Sequence, residues 1–193
     1  MSQLSLFPTD GPKPAKYELI LAVFPDEHTA QDIYQLGDKL RRKHRLIGRV
    51  RPLNHLHTSL PCFTNVPHGL DQVINLVDHA CRGIAEATPP FDVTFDRVLS
   101  FKRRTLKQPL VLAGSKNGNA ELKAFHRLLV AKLSGRSNAN HQFTPHVTLL
   151  YDRQIDEEPI NPVVSWKVNE VILVLSHVGA TKYDRLGCWK LGG

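Results

Sequence analysis

The sequence predicts an α+β fold made of two similar lobes. Segments with helical periodicity alternate with short apolar strands, and the strands outnumber the helices, which favours antiparallel pairing. Two stretches of the chain also repeat one order, in which a strand and a helix are followed by the tetrapeptide H-x-[ST]-L. We therefore expect a bilobal molecule of duplicated strand–helix–strand units, with antiparallel sheets around a central groove.

Each element can be placed from its local pattern. Three helices are predicted, over residues 26–44, 69–87 and 119–134. Strands are expected over residues 19–24, 91–101, 110–113, 143–151, 168–177 and 182–191, and around His57. Asp26 and Asn119 are the expected N-caps of the first and third helices, and Pro25 ends the first strand.

Length and composition fit one globular domain. The chain has 193 residues, of which 41% are hydrophobic and 22% charged, as in proteins with a sizeable core. A single bilobal domain is expected over residues 17–193, after a flexible leader over residues 1–16. The leader lacks the charged and apolar regions of a secretory signal, and no apolar run reaches membrane-spanning length.

Charge and cysteine content indicate the partner and the compartment. Lys and Arg outnumber Asp and Glu by 25 to 18, which favours an anionic partner such as nucleic acid or a phosphorylated metabolite. The three cysteines are far apart and form no C-x-x-C motif, so neither a disulfide framework nor a thiolate zinc site is indicated. A reduced, cytoplasmic setting is the simplest interpretation.

The repeated units are matched in length as well as in order. The first begins with LILAVF and ends with H-T-S-L at residues 57–60, and the second begins with PLVLAG and ends with H-V-T-L at residues 146–149. Strand and histidine lie 38 positions apart in the first unit and 36 in the second. A duplicated fold would bring the two tetrapeptides together across a pseudo-twofold axis.

Strand alternation places one imidazole and one hydroxyl of each unit on the same side. Side chains at positions i and i+2 of a strand share a face. His57 therefore points the same way as Ser59, and His146 the same way as Thr148. Both pairs would face the common groove, while the flanking apolar residues face the core.

Two histidines that face each other suit chemistry at phosphorus. In-line displacement puts the attacking and leaving oxygens on opposite sides of the phosphate. One imidazole can act as general base and the other as general acid, because imidazole titrates near neutral pH. The two hydroxyls can donate hydrogen bonds to phosphate oxygens, so this scheme needs no metal. Which histidine is the base stays open; for hydrolysis we consider His146 activating water and His57 protonating the leaving oxygen.

These residues resemble a known family. Two H-x-[ST]-hydrophobic motifs in duplicated α+β lobes are typical of the two-histidine (2H) phosphoesterase superfamily, and the chain is similar to its bacterial 2′-5′ RNA ligase-like members. The resemblance covers roughly residues 17–191, and it includes the closing strands VNEVILVLSHVGATKYDRLGCWKL.

The resemblance implies roles for four residues and a reaction. His57 and His146 would be catalytic, and Ser59 and Thr148 would bind the substrate phosphate. The implied activity opens the 2′,3′-cyclic phosphate at the end of an RNA or nucleotide to a 2′-phosphate. The reverse chemistry joins a 5′-hydroxyl through a 2′-5′ linkage. The resemblance further implies that neither a metal nor a cofactor is needed, and we expect a monomer with no obligate protein partner.

Several residues near the motifs depart from the family pattern. The first motif has Ser59 where threonine is commoner, and the second continues into Tyr151 and Arg153 where relatives often have an arginine directly. Tyr151 and Arg153 are therefore candidate groove residues, with Arg153 in the place of the missing arginine. Asp152 and the acidic residues 156–158 are interpreted as a solvated loop.

His55 is a further candidate for the groove. It would share a face with His57 in a regular strand, but the equivalent position of the second unit is Thr144. The pair His55 and His57 has a spacing that could suit a metal, yet no carboxylate or cysteine nearby is placed to complete such a site. His55 could instead line the groove or contact a base.

Other functions remain open at this point. A module of the same fold could bind nucleotides or RNA without turning them over. The Gly-rich stretch 114–118 lacks the spacing of a P-loop, so it is interpreted as a loop or turn and not as a nucleotidase site. The basic stretches 41–51 and 102–107 could guide an RNA backbone. They could equally be solvated surface, and the first would also complement a helix dipole.

Overall fold

The computed structural model describes residues 17–64, 70–134 and 143–192, and the leader predicted over residues 1–16 lies outside these ranges. The strands are β1 (Tyr17–Val23), β2 (Thr58–Thr64), β3 (Phe91–Ser100), β4 (Gln108–Ala113), β5 (His146–Asp152), β6 (Glu158–Val168), β7 (Glu170–His177) and β8 (Lys182–Lys190). The helices are α1 (Glu27–Lys43), α2 (Leu70–Glu86) and α3 (Ala120–Ser134). The predicted α+β class is confirmed.

The strands form one open antiparallel sheet with an internal symmetry. Their order is β6-β3-β4-β5-β2-β1-β7-β8. Read outwards from the centre, β5 and β2, β4 and β1, β3 and β7, and β6 and β8 occupy matching places. The unit β1-α1-β2 thus corresponds to β4-α3-β5, as the repeat predicts. The two antiparallel sheets expected from the sequence are the two halves of this sheet, joined where β2 pairs with β5.

The helices bury their apolar stripes against one face of the sheet. Ile33 of α1, Cys81 of α2 and Phe125 of α3 belong to one hydrophobic cluster that also contains Leu19 and Leu21 of β1. Intervening strand residues point to the opposite face, where Ile20, Ala22, Ile172 and Val174 form a smaller cluster. Alternation along the strands therefore separates a core face, which the helices cover, from a second face available for a site.

Of the two N-caps expected from the sequence, the structure shows one. Asp26 is the N-cap of α1, since its Oδ1 accepts a hydrogen bond from Thr29 N at 2.9 Å. Asn119 directly precedes α3 with φ of 58°, but its side chain hydrogen-bonds the backbone of Thr94 in β3. The side chain of Asn119 therefore links the segment before α3 to strand β3 and does not cap the helix. In the described part of the chain, no helix is both long and apolar enough to span a membrane.

The sequence patterns missed strand β6. This strand pairs with β3 and lies at the edge of the sheet. It contains Pro159 and Pro162, and most of its residues are exposed or half-buried, so it shows no apolar alternation. Proline is tolerated in edge strands because one side of such a strand has no ladder to complete.

The segment after α1 is fastened to the end of β5 by a buried carboxylate. Oδ2 of Asp152 accepts hydrogen bonds from Ile47 N and Gly48 N, both at 2.6 Å, and Oδ1 accepts from Arg153 N at 2.7 Å. Burial alone would raise the pKa of Asp152, but these three N–H groups bring it below its usual value. Asp152 is 8% exposed, so its interpretation as part of a solvated loop was wrong.

Close approach of two backbones makes this fastening possible. A Cβ on Gly48 would lie 2.2 Å from the carbonyl oxygen of Tyr151, so only glycine fits there. Three residues later, Arg51 N donates to the carbonyl oxygen of Leu149 at 2.7 Å. The chain that leads into the first histidine motif is thus held against the strand that carries the second.

Candidate active site

The two tetrapeptide motifs meet at the centre of the sheet. Thr58 of β2 lies opposite Val147 of β5 in an antiparallel pair. Continued by one residue on each side, this register sets His57 across from Thr148 and Ser59 across from His146. The two histidines are then diagonal neighbours, a relation that separates Cα atoms by about 7–8 Å. The motifs therefore form a compact four-residue group with the imidazoles at opposite corners.

All four side chains of this group line one cleft of about 410 Å³. The flanking Leu56, Leu60, Val147 and Leu149 are buried in the core face, as strand alternation predicts. The cleft is also lined by Arg51, Arg103, Tyr151, His55, His177 and Tyr183.

A matched β-bulge follows the hydroxyl residue in each motif. The pairing of β1 with β2 shifts register after Ser59, and the pairing of β4 with β5 shifts after Thr148. One extra residue on β5 lets Leu149 and Leu150 both enter the core, and it turns the half-exposed Tyr151 towards the cleft. The candidate position of Tyr151 in the groove therefore depends on an irregularity that simple alternation does not predict.

The two histidines are held in the same way. Nδ1 of His57 lies 2.8 Å from the carbonyl oxygen of His55, and Nδ1 of His146 lies 2.7 Å from that of Thr144. A carbonyl only accepts, so each Nδ1 carries a proton and the neutral rings present the Nε2 lone pair. Nε2 of His57 lies 3.0 Å from Ser59 Oγ, whose hydroxyl donates to it.

Burial and a nearby arginine keep both imidazoles neutral. Burial above all, with a smaller contribution from the nearby charge of Arg51, lowers the pKa of His57 to about 4, although the hydrogen bond to the His55 carbonyl acts in the opposite direction. Burial also lowers the pKa of His146, with an added contribution from Arg103. The free cleft is therefore electropositive but holds neutral histidines, a state that favours binding of an anion.

Aromatic side chains pack against both imidazole rings. The ring centroid of Phe24 lies 5.4 Å from that of His57, and the ring of Phe101 meets His146 edge-on at 4.8 Å. Tyr183 of β8 also meets His57 edge-on at 5.6 Å. These contacts restrict the rotation of the two imidazole rings, which the hydrogen bonds from Nδ1 to backbone carbonyls also hold in place.

His55 lines the cleft but does not share a regular strand with His57. It ends a 3-10 turn, Leu53–His55, and is 3% exposed, because the regular strand begins only at Thr58. Its ring stacks on Tyr183 with centroids 4.0 Å apart, while its carbonyl orients His57. Burial and then the charge of Arg51 lower the pKa of His55, so it is a neutral support for the catalytic candidate.

Arg153 is not brought to the cleft. The strand β5 ends at Asp152, and Nη2 of Arg153 donates to the carbonyl oxygen of His44 at 2.6 Å. The expectation that Arg153 replaces the family's arginine in the groove is therefore wrong. Arg51 and Arg103 occupy the cleft instead, one near each histidine.

Sequence reasoning gave no site role to Tyr183. Besides its ring contacts, burial raises the pKa of its phenol, and the nearby charge of Arg51 acts in the opposite direction. It reaches the cleft because β8 pairs with β7 and β7 with β1, a relation that no local motif signals. Arg51 and Arg103 fall within the two basic stretches noted above, but only the structure distinguishes them from their basic neighbours.

Other polar groups line the outer part of the cleft. His177 Nε2 lies 2.6 Å from Asp184 Oδ2, and Lys182 Nζ lies 3.2 Å from the other oxygen of the same carboxylate. Within the described ranges, no group of three or more His, Cys, Asp or Glu side chains is arranged to hold a metal ion.

Comparison with known proteins gives one family match and a consistent set of folds. A family model described as the 2′-5′ RNA ligase superfamily matches residues 24–180. Crystal structures of Escherichia coli LigT, including complexes with 3′-AMP and with phosphate, superpose with TM-scores of 0.66–0.67 at 22% identity. The apo LigT match covers 93% of this chain and 99% of LigT.

Two further structures share the fold. TT0787 of Thermus thermophilus is 20% identical with a TM-score of 0.66, covering 91% of this chain and 98% of that protein. Usb1 of Kluyveromyces marxianus is 12% identical with a TM-score of 0.52, covering 91% and 99%. No curated protein matches the sequence. The family match spans most of the chain, and the chain therefore belongs to the 2′-5′ RNA ligase superfamily of two-histidine phosphoesterases.

Proposed function

We propose that the protein is a metal-independent phosphodiesterase that opens the 2′,3′-cyclic phosphate at an RNA end to a 2′-phosphate. The observation that carries this proposal is the diagonal arrangement of His57 and His146, each with a hydroxyl residue across the strand pair. A phosphate between the imidazoles would have one on each side, as in-line displacement requires. Complexes of LigT with 3′-AMP and with phosphate support a ligand of this chemistry.

Burial lowers the pKa of His57 to about 4, so this ring is neutral at pH 7 and can act as the general base, the reverse of the assignment considered from the sequence. Its neutral Nε2 takes a proton from water as the oxygen attacks phosphorus. The bond from phosphorus to the 3′-oxygen breaks, and the imidazolium of His146 gives its proton to that oxygen. The products are a 2′-phosphate and a 3′-hydroxyl.

The bound phosphate favours the protonated form of His146 that this scheme needs. An anion beside the imidazoles favours their charged forms, so it raises the pKa of His146 in the complex. Ser59, Thr148, Arg51 and Arg103 are in place to hydrogen-bond or neutralise the phosphate oxygens. If a 5′-hydroxyl replaces water, the same steps give a 2′-5′ phosphodiester, so the proposal includes reversible ligation.

The test is an RNA oligonucleotide with a 2′,3′-cyclic phosphate, incubated with the protein in the presence of a chelator. Wild type should yield a 2′-phosphate terminus, and His57→Ala and His146→Ala should each lose activity roughly 100- to 10,000-fold. Full activity in either variant would overturn the proposal, as would dependence on added metal. Binding of the RNA without turnover would indicate a non-catalytic RNA- or nucleotide-binding module.

A further inference from the structure

The two basic stretches of the sequence have different surroundings. In the first, Arg41 and Arg42 both form ion pairs with Asp38, at 2.9 and 2.6 Å, and Lys43 pairs with Glu158 at 2.5 Å. His44 contacts the same glutamate at 3.1 Å. The three cations at the end of α1 are therefore paired within the protein and are less available to a polyanion. This does not apply to Arg45, Arg49 and Arg51, which follow the helix and form no ion pair within the described residues.

The second stretch forms the turn between β3 and β4, and its charge is not neutralised. We name residues 101–107 the basic turn; its cations are Lys102, Arg103, Arg104 and Lys107, all exposed. Among the described residues, none of these four lies within ion-pair distance of a carboxylate. Four uncompensated positive charges within six positions therefore face solvent.

Hydrogen bonds hold the basic turn in one shape. The side chain of Gln108 accepts from Arg103 N at 2.5 Å and donates to the carbonyl oxygens of Arg103 and Thr105, at 3.1 and 2.5 Å. Thr105 Oγ1 donates to the carbonyl oxygen of Lys107 at 2.9 Å, and Phe101 N donates to that of Pro109 at 3.0 Å. A backbone fixed in this way loses little entropy when its cations bind a ligand.

The basic turn starts at the cleft. Arg103 lines the cleft and lowers the pKa of His146, and the ring of Phe101 contacts His146. Lys102, Arg104 and Lys107 do not line the cleft, so a phosphate held between the histidines leaves them unused. Cations next to the cleft are placed to bind other phosphates of the same substrate, beyond the one held between the histidines.

We propose that the basic turn binds backbone phosphates of the RNA strand on the 5′ side of its terminal nucleotide, so that the preferred substrate is an oligonucleotide and not a mononucleotide. The inference rests on the proposed function for the identity of the terminal group. Neutralising phosphates with Lys and Arg releases condensed counterions, which contributes binding free energy that decreases with salt. A mononucleotide cyclic phosphate has no such phosphates and gains nothing from the turn.

The test compares cytidine 2′,3′-cyclic phosphate with a ten-nucleotide RNA that ends in a 2′,3′-cyclic phosphate. The triple variant Lys102→Ala/Arg104→Ala/Lys107→Ala should lower kcat/KM for the RNA about tenfold or more and leave kcat/KM for the mononucleotide unchanged. For the RNA, the slope of log kcat/KM against log salt should flatten by about 2, at about 0.7 per phosphate contact. A matched control, Arg127→Ala/Lys132→Ala/Lys190→Ala, removes three exposed cations outside the cleft and should change neither substrate.

Equal losses on both substrates, or an equal loss in the control, would overturn the inference. Binding of the same RNA with a terminal 2′-phosphate, followed by fluorescence anisotropy, gives a second measurement that needs no turnover. Weaker binding of the triple variant than of the control supports the role of the turn even if wild type hydrolyses neither substrate. Unchanged RNA binding in the triple variant refutes that role, whatever the activity.

Discussion

Thr58 lies opposite Val147, and this antiparallel residue pair joins the two repeated units at the middle of their motifs. Both side chains belong to the core face, so the residues that flank them belong to the cleft face. One register thus brings two histidines and two hydroxyls, from stretches almost ninety positions apart, into one cleft. The predictions below follow from this relation and from the groups that support it.

The two histidines should behave as one catalytic unit. Base and acid act in the same displacement, so once either is lost the other has little left to contribute. The double variant His57→Ala/His146→Ala should therefore be only slightly less active than either single variant, measured as kcat on a cyclic phosphate substrate. A double variant whose loss equals the product of the two single losses would show that the residues act independently. His79→Ala, an exposed histidine of α2, is the control and should match wild type.

The hydroxyls of Ser59 and Thr148 should contribute to turnover through the phosphate. Removing one donor from a developing charge costs on the order of 100- to 1,000-fold in kcat. We expect Ser59→Ala and Thr148→Ala to show losses of this size, and Ser59→Thr to retain activity because it keeps the hydroxyl. Steady-state kinetics on a mononucleotide cyclic phosphate measure these effects. A Ser59→Thr variant as impaired as Ser59→Ala would contradict the role of the hydroxyl.

The pH dependence should be displaced towards acid. Turnover needs one neutral and one protonated imidazole, and in the free protein the pKa of His57 is about 4 while that of His146 lies below its usual 6.5. Because both pKa values are lowered, the singly protonated pair is most populated below pH 6.5, and kcat/KM should follow a bell with its maximum there. Arg103→Gln should raise the pKa of His146 and move the alkaline limb to higher pH.

Arg104→Gln is the matched control for this shift. Arg104 lies beside Arg103 in the basic turn but is not among the charges that lower the pKa of His146. With a mononucleotide substrate, its pH profile should coincide with that of wild type. An alkaline limb that stays fixed in Arg103→Gln would exclude Arg103 as a determinant of the His146 pKa.

His55 should act through the orientation of His57. Its ring stacks on Tyr183 and its carbonyl holds the Nδ1 proton of His57. His55→Phe keeps a flat ring and the carbonyl, so kcat should stay within a few-fold of wild type, whereas His55→Ala should lower kcat about tenfold with little change in KM. Equal kcat values for Phe and Ala would contradict the stacking role.

Asp152 should stabilise the connection between the two halves. Asp152→Ala leaves the buried N–H groups of Ile47 and Gly48 without their acceptor, and such losses cost about 1–3 kcal/mol each. We expect the free energy of unfolding, from urea denaturation at pH 7, to fall by a few kcal/mol. Asp156→Ala, an exposed carboxylate in the next loop, should change it by less than about 0.5 kcal/mol.

The pH dependence of this stabilisation has a definite sign. The pKa of Asp152 is lower in the folded than in the unfolded protein, so its contribution is fully present above the unfolded value, about 3.9. It is lost as the pH falls through the folded pKa. The difference in stability between wild type and Asp152→Ala should therefore be constant from pH 7 to about pH 5 and shrink below about pH 4. A difference that grows towards low pH would contradict the assignment.

Local patterns sufficed for most elements because hydrophobic periodicity reports which face of a segment is buried. They placed β1, the three helices and β3 near their observed positions. They failed for β6, because its prolines and exposed side chains show no apolar alternation. This segment is nevertheless a strand, since it pairs with β3 at the edge of the sheet. They also failed for Arg153, which was expected in the groove. The strand ends before Arg153, and its side chain donates to the carbonyl oxygen of His44.

The sequence by itself determined the candidate pair His57 and His146 and their hydroxyl partners, because strand alternation has a period of two and the same motif ends both repeated units. Only the tertiary structure decided the surroundings that adjust this pair. Arg51, Arg103 and Tyr183 approach the histidines through hairpin pairing and strand register, which depend on contacts between distant parts of the chain. The burial that lowers the histidine pKa values is likewise a property of the packed sheet and of no single segment.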